Sequence, residues 1–294
     1  MTADMHMHFL GLEGDDSAYE RSHIVVLPVP YEYTVTFGRG AGRGPEALIT
    51  ASTQIERYDE YFGAEVWRPA LHTRPPLPVN ATPEQLVERV QAEVKLLLDD
   101  GKTPLLLGGE HTISLGAVLA CSERFPDLTV LSIDAHADLR DSYEGRALSH
   151  ATVMRRICEH CPVVLAAVRS ISSEEIAFLN REGSERVQLF FRHQSRPLSR
   201  VWDEMRSALS PHVYVSLDVD ALDLGLMPAC GTPEPGGLDW FELTELFEKV
   251  SGSSTIIGAD VVEFAPPPEN ITIGAVAARI VLRVIGFLAR CTRQ

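Results

Sequence analysis

The chain reads as an α/β protein built on a largely parallel sheet with helices on both faces. Three observations predict this. Runs rich in Val, Ile and Leu recur along the chain, most lie far enough apart to hold a helix between them, and helix-start signals fall in those intervals. The first run, 24–28, is almost wholly apolar, as a strand buried on both faces must be. After it, Thr82-Pro83-Glu84-Gln85 predicts a helix with a Thr cap and Pro at the first position, where a missing N–H does no harm. Run 103–107 follows and leads into Gly108-Gly109, a turn before His111, which is placed to open the next helix. Runs 128–133 and 163–168 are the next strands, and Ser173-Glu-Glu-Ile176 offers an N-cap ahead of run 187–191. Beyond run 213–219, Asp239-Trp-Phe-Glu242 is a variant capping box, and run 255–262 is the last strand. Segment 271–290 has apolar residues at helical spacing and is predicted to close the fold as a surface helix.

Composition narrows the function. Among 294 residues, 26 Lys and Arg face 41 Asp and Glu, a formal charge of −15. Phosphate backbones select basic faces, so nucleic acid is not expected as a partner, and a neutral or cationic small molecule is favoured. No window approaches 18 consecutive apolar residues, so no membrane span is predicted, and segment 1–16 lacks the basic start and apolar block of a signal peptide. The expectation is a cytoplasmic enzyme. Five cysteines are too few and too scattered for a disulfide scaffold, and Cys158-Glu-His-Cys161 has no second pair to complete a zinc site. With no repeat, low-complexity tract or long polar linker, residues 1–294 are expected to form one domain. Two irregular stretches rich in Gly or Pro, 34–44 and 226–237, have the composition of functional rims.

The chemistry lies where polar residues interrupt apolar strands. Asp134-Ala-His136-Ala-Asp138 follows run 128–133, and period-2 alternation would put its three polar side chains on one face. Asp218-Val-Asp220 repeats the device at the end of another strand, and Gly108-Gly-Glu-His111 ends a third. In a parallel sheet these ends converge on the crevice where ligands bind. Four carboxylates gathered there must take up protons or collect cations, and Arg140, the nearest base in sequence, could offset one at most. Two divalent cations would balance them, with His111 and His136 as neutral ligands. Oxygen and imidazole donors without thiolate suit Mn²⁺ better than structural Zn²⁺, with iron and cobalt as alternatives.

Leu107-Gly-Gly-Glu-His111-Thr-Ile-Ser, Ser132-Ile-Asp134-Ala-His136-Ala-Asp138 and Ser216-Leu-Asp218-Val-Asp220, followed by Gly231-Thr-Pro-Glu-Pro-Gly-Gly237, resemble in order the signatures of the ureohydrolase family, which includes arginases and agmatinases. The resemblance covers nearly the whole chain. It implies a three-layer α/β/α arginase-like fold, a homo-oligomer, and two Mn²⁺ per subunit. One ion would be held by His111, Asp134, Asp138 and Asp218, the other by Asp134, His136, Asp218 and Asp220, so that Asp134 and Asp218 bridge. The resemblance further implies that His150 is an acid/base residue contacting substrate and that Glu263 holds the substrate guanidinium. Unaided, His150 would read as a helix-start residue and Glu263 as a strand-end charge.

Within the family, Asp138-Leu-Arg-Asp-Ser-Tyr-Glu-Gly145 with Ser149-His150 is most like agmatinases, and Gly40-Ala-Gly-Arg-Gly-Pro-Glu-Ala-Leu48 is a weaker match. Arginases carry after the Asp-x-His-x-Asp motif an Asn- and Ser-containing segment that holds the amino acid's carboxylate and amine; here the matching Asn is missing and Arg140 stands two residues beyond Asp138. Leu224 replaces the Pro usual in the third signature, which should alter loop stiffness rather than metal binding. The implied reaction is hydrolysis of agmatine to urea and putrescine, a step of polyamine metabolism, with Asp138 orienting the attacking oxygen. Guanidinobutyrate, aminopropylagmatine and arginine are rival substrates. A non-catalytic metal-binding protein and a single-zinc deacetylase on a related fold are rivals of other classes.

Overall fold

The computed structural model describes residues 7–181, 183–267, 270 and 272–291. Its strands are β1 (Ile24–Val29), β2 (Leu71–Thr73), β3 (Thr103–Gly108), β4 (Leu128–Ile133), β5 (Val163–Val168), β6 (Val187–Phe191), β7 (His212–Asp218) and β8 (Thr255–Val262). All pair in parallel in one sheet, in the order β2-β1-β3-β8-β7-β4-β5-β6. Seven coincide with the apolar runs to within a residue or so at either end. The eighth, β2, has only three residues at the sheet edge, too few to display a period.

The helices are α1 (Gly44–Ser52), α2 (Pro83–Asp99), α3 (Ile113–Arg124), α4 (Val153–Ile157), α5 (Ser173–Leu179), α6 (Trp202–Ala208), α7 (Trp240–Ser253) and α8 (Ile273–Cys291). Alternation along the strands feeds two cores. Ile24 and Val26, Leu105 and Leu107, and Val213, Val215 and Leu217 pack with α1, α6, α7 and α8. Leu27 and Val29, Leu106, and Tyr214 pack with α2, α3, α4 and α5. The sheet is thus the middle of three layers, as the family resemblance implies.

The helix starts follow their caps. Thr82 and Gln85 form a reciprocal capping box at α2, and Asp239 with Glu242 forms another at α7. At α5 the cap is Ser172, one residue before the Ser read from sequence, because Glu175 reaches back to its N–H at 2.8 Å. His111 does not open α3; Thr112 stands between them. The larger correction concerns α8. It is no surface helix: every residue from Ile280 to Ala289 is buried, between α1 and α7 and against β8. Ile271, where the sequence pattern begins, lies outside the described residues. The two irregular stretches meet, Gly38 N donating to Gly231 O at 3.0 Å. No helix among the described residues is long and apolar enough to cross a membrane.

Candidate metal centre and active site

The four central strands β3, β8, β7 and β4 are neighbours, and each is followed by polar residues lining or adjoining a crevice of about 230 Å³. Gly109 makes the first approach possible, since a Cβ there would stand 1.9 Å from Tyr31 O. His111, two residues on, is fully buried. Its Nδ1 lies 3.2 Å from Asp134 Oδ2, 3.1 Å from Asp138 Oδ2 and 3.6 Å from Asp218 Oδ2. Its Nε2 lies 2.8 Å from Ser216 Oγ, which donates its own proton to Asp260 Oδ1 at 2.7 Å. Tyr214 OH donates to the other oxygen of Asp260 at 2.9 Å. Ser216 can therefore only accept from Nε2–H, which leaves the Nδ1 lone pair facing three carboxylates.

That nitrogen and Asp134 Oδ2 are buried with no hydrogen bond. Lone pairs facing one another at this range repel unless positive charge stands between them. Burial opposes charge on His111, but Asp134 and Asp138 more than reverse this and hold it well above its ordinary value. Positive charge is therefore drawn to this nitrogen, as a proton or as a metal ion.

On the other side of Asp134, His136 Nδ1 is 2.9 Å from Asp220 Oδ2 and 3.7 Å from Asp134 Oδ1. Two groups result, His111, Asp134 and Asp218, and Asp134, His136 and Asp220, with donor atoms in each within 4.8 Å of one another. Asp134 belongs to both, and Asp138 lies beside the first. Among the described residues, no Lys or Arg pairs with these four aspartates. Burial and the Asp134 charge push Asp138 up to about 7. Burial and the charges of Asp220, Asp134 and Glu263 hold Asp218 well above the carboxylate range. A donor set of oxygens and imidazoles with unmet negative charge fits divalent cations.

The convergence predicted from strand alternation is present, but turns produce it. β4 stops at Ile133, and Asp138 has a left-handed backbone, φ 51°. Asp218 ends β7 and caps the short turn Val219–Ala221, accepting from Asp220 N at 2.8 Å. Glu263, just after β8, is also left-handed, φ 62°, and such conformations cost about 1–2 kcal/mol each outside glycine. Its Oε1 accepts from His111 N at 2.7 Å, and burial pushes the carboxyl up to about 8. His150 opens a single turn before α4 and lines the same crevice. Its Nδ1 is 3.0 Å from Thr34 Oγ1 and its Nε2 2.7 Å from Thr36 Oγ1, and burial pushes the imidazole down to about 4. All eight sequence-derived site residues thus gather at one end of the sheet.

Arg140 lines the crevice but stacks over Tyr143, with 5.6 Å to the ring centre, and forms no ion pair with an aspartate among the described residues. Sequence reasoning passed over Arg169, whose guanidinium donates to Asp220 O at 2.6 Å and Glu234 O at 2.9 Å and so ties two rim loops together. A charge directly after apolar β5 was its signal. Ser216 and Asp260, polar inside apolar strands, were equally visible. Thr34 and Thr36 carried no signal beyond their irregular surroundings, although Thr36 and Thr232 bring both irregular stretches to the crevice.

Fold and site together define a three-layer α/β/α protein with two candidate metal-binding groups at the ends of its central strands. The model of the Arginase family matches residues 22–286, and the chain belongs to that family. It is accordingly an enzyme that hydrolyses C–N bonds. The chain is 36% identical over 274 residues to an N(1)-aminopropylagmatine ureohydrolase of Thermus thermophilus, covering 92% of each. It is 32% identical to the agmatinase of Bacillus anthracis, covering 85% of this chain and 86% of the relative. The crystal structure of the agmatine ureohydrolase of Thermoplasma volcanium superposes with a TM-score of 0.83 at 27% identity, covering 95% and 94% of the two chains.

Proposed function

We propose that this enzyme hydrolyses the guanidinium group of agmatine to urea and putrescine, using two Mn²⁺ ions. The carrying observation is the pair of carboxylate–histidine groups sharing Asp134, with His111 Nδ1 in the first of them buried without a hydrogen bond. His111, Asp134, Asp138 and Asp218 would hold one ion, and Asp134, His136, Asp218 and Asp220 the other. Bound there, the metals would lower the pKa of water from about 15.7 toward roughly 7, which supplies a nucleophile at neutral pH.

The remaining tasks fall to side chains. Glu263 pairs with the guanidinium; a carboxyl pushed up by burial ionises when that cation arrives. Asp138 accepts a hydrogen bond from the attacking water and orients it. His150, neutral at pH 7 because of its burial, takes the water's proton and delivers it to the departing amine. The names of the relatives and the net acidity support a cationic guanidino substrate. In this reading the protein is cytoplasmic and its subunit one domain, as composition and the lack of a linker suggest, and it is a homo-oligomer, as the family resemblance implies.

Aminopropylagmatine is the second reading, favoured by the Thermus relative. Urea release after manganese loading, measured on agmatine, aminopropylagmatine, guanidinobutyrate and arginine, separates these. Agmatine is expected to give the highest kcat/KM. Metal uptake with no urea from any of the four would overturn all four substrates, and one equivalent of metal at saturation would overturn the two-ion site.

A further inference from the structure

We propose that Glu110 and Thr34 form a hydrogen-bonded chain that fixes the tautomer of His150, placing the proton on Nδ1 and leaving Nε2 as the atom that exchanges protons during turnover. Both are positioning residues, and the proposal rests on His150 being the proton-transfer residue of the reading above.

Donor and acceptor counting carries it. Glu110 is 1% exposed. Its Oε2 accepts from the backbone N–H groups of Tyr33 at 2.5 Å and Thr34 at 2.6 Å, which can only donate. Its Oε1 accepts from Thr112 Oγ1 at 2.6 Å and from Thr34 Oγ1 at 2.8 Å. Thr34 has one hydroxyl proton, and Glu110 takes it. Toward His150, Thr34 Oγ1 can therefore only accept, from the backbone N–H at 3.1 Å and from the ring at Nδ1, 3.0 Å away. Nδ1 must then carry the hydrogen, and Nε2 is left with its lone pair, accepting from Thr36 Oγ1 at 2.7 Å. Thr36 is exposed at the crevice, so its hydroxyl can give way to water or substrate.

The interposed hydroxyl has a consequence that direct contact would not have. A carboxylate touching the imidazole would favour the charged form, whereas through Thr34 it sets ring orientation and tautomer and leaves the ring neutral. Asp260 and Ser216 use the same carboxylate–hydroxyl–imidazole order on His111, with the opposite nitrogen protonated. The alternative is that Glu110 merely fastens the loop after β1.

The test compares Thr34→Val, which keeps the shape and removes the hydroxyl, with Thr34→Ser, each alone and combined with His150→Ala. Manganese content and thermal melting are followed beside kinetics. Thr34→Val is expected to lower kcat about tenfold or more with KM within about twofold, Thr34→Ser to restore it, and Thr34→Val to have no further effect once His150 is Ala. An unchanged kcat in Thr34→Val, or an equal loss in the His150→Ala background, would overturn the chain while leaving His150's role intact. Full turnover in His150→Ala would instead overturn that role and the chain together. A readout independent of activity and of the valine variant's folding is NMR of nitrogen-labelled histidine in the wild-type protein loaded with diamagnetic Zn²⁺. His150, assigned by His150→Ala, is expected to show the Nδ1–H tautomer; the Nε2–H form would refute the proposal.

Discussion

Arg283 in α8 and His111 after β3 both lie buried beside carboxylates, yet their surroundings differ in what they leave undone. Arg283 is 2% exposed, with Nε 3.0 Å from Asp59 Oδ2, Nη2 2.7 Å from Glu60 Oε1 and Nη1 3.1 Å from Thr244 Oγ1. Its guanidinium also lies over Tyr61 and Trp240, at 4.9 and 4.5 Å from the ring centres. Folding alone completes that cluster. Around His111, four aspartates meet two imidazoles, no Lys or Arg forms an ion pair with their carboxylates among the described residues, and two buried polar atoms have no partner. The first arrangement is a fastening between α8 and the loop holding Asp59. The second is finished only by charge from outside the chain, which is what a cofactor site requires.

The largest expected effect comes from removing a carboxylate on the unfinished side. Asp218→Ala should lose bound metal and lower turnover by at least about 10³-fold, since several kcal/mol of transition-state stabilisation goes with the ions. Elemental analysis finding two full manganese equivalents in that variant would contradict its place among the ligands. On the finished side, Arg283→Met strands the buried Asp59 and should destabilise the fold by about 3–5 kcal/mol in urea unfolding. Native Arg283→Met protein should still bind its full complement of metal at low temperature; reduced stoichiometry would show that the two clusters are not independent. A smaller effect distinguishes them by pH. Proton and cation compete for the same oxygens, and Asp138 is pushed up to about 7, so manganese affinity should fall as pH drops below about 7, by up to about tenfold per unit for each proton displaced. Competition titrations giving the same affinity at pH 6 and pH 8 would remove Asp138 from the metal's surroundings.

The same contrast explains what could be read from sequence. Strands buried on both faces must be apolar nearly throughout, so seven runs announced themselves, and Asp134, Asp218 and His111 stood out because nothing inside such a strand end is polar without reason. Arg283 carried the opposite message. A charge in 271–290 reads as a solvent-facing position, and the carboxylates that make its burial possible, Asp59 and Glu60, lie more than 220 residues away. The left-handed backbones at Asp138 and Glu263 escaped because alternation assumes an extended chain. The Thr34 contact with His150 spans 116 residues and has no local signature. Local patterns report what each element needs; they are silent on which distant group supplies it.

Leu224 offers the mildest test, because it stands near the unfinished cluster in sequence while belonging to neither. It follows Asp223, whose carbonyl accepts from Leu226 N at 2.8 Å and Met227 N at 2.9 Å, and its own N–H makes no hydrogen bond among the described residues. Proline there would remove no donor in use and would narrow the unfolded ensemble. Leu224→Pro is therefore expected to raise stability by about 0.4–1 kcal/mol in urea unfolding, with manganese stoichiometry and kcat/KM unchanged. A loss of metal in this variant would mean that the loop after Asp220 transmits strain to the ligands, and that the site depends on its rim as well as on the strand ends.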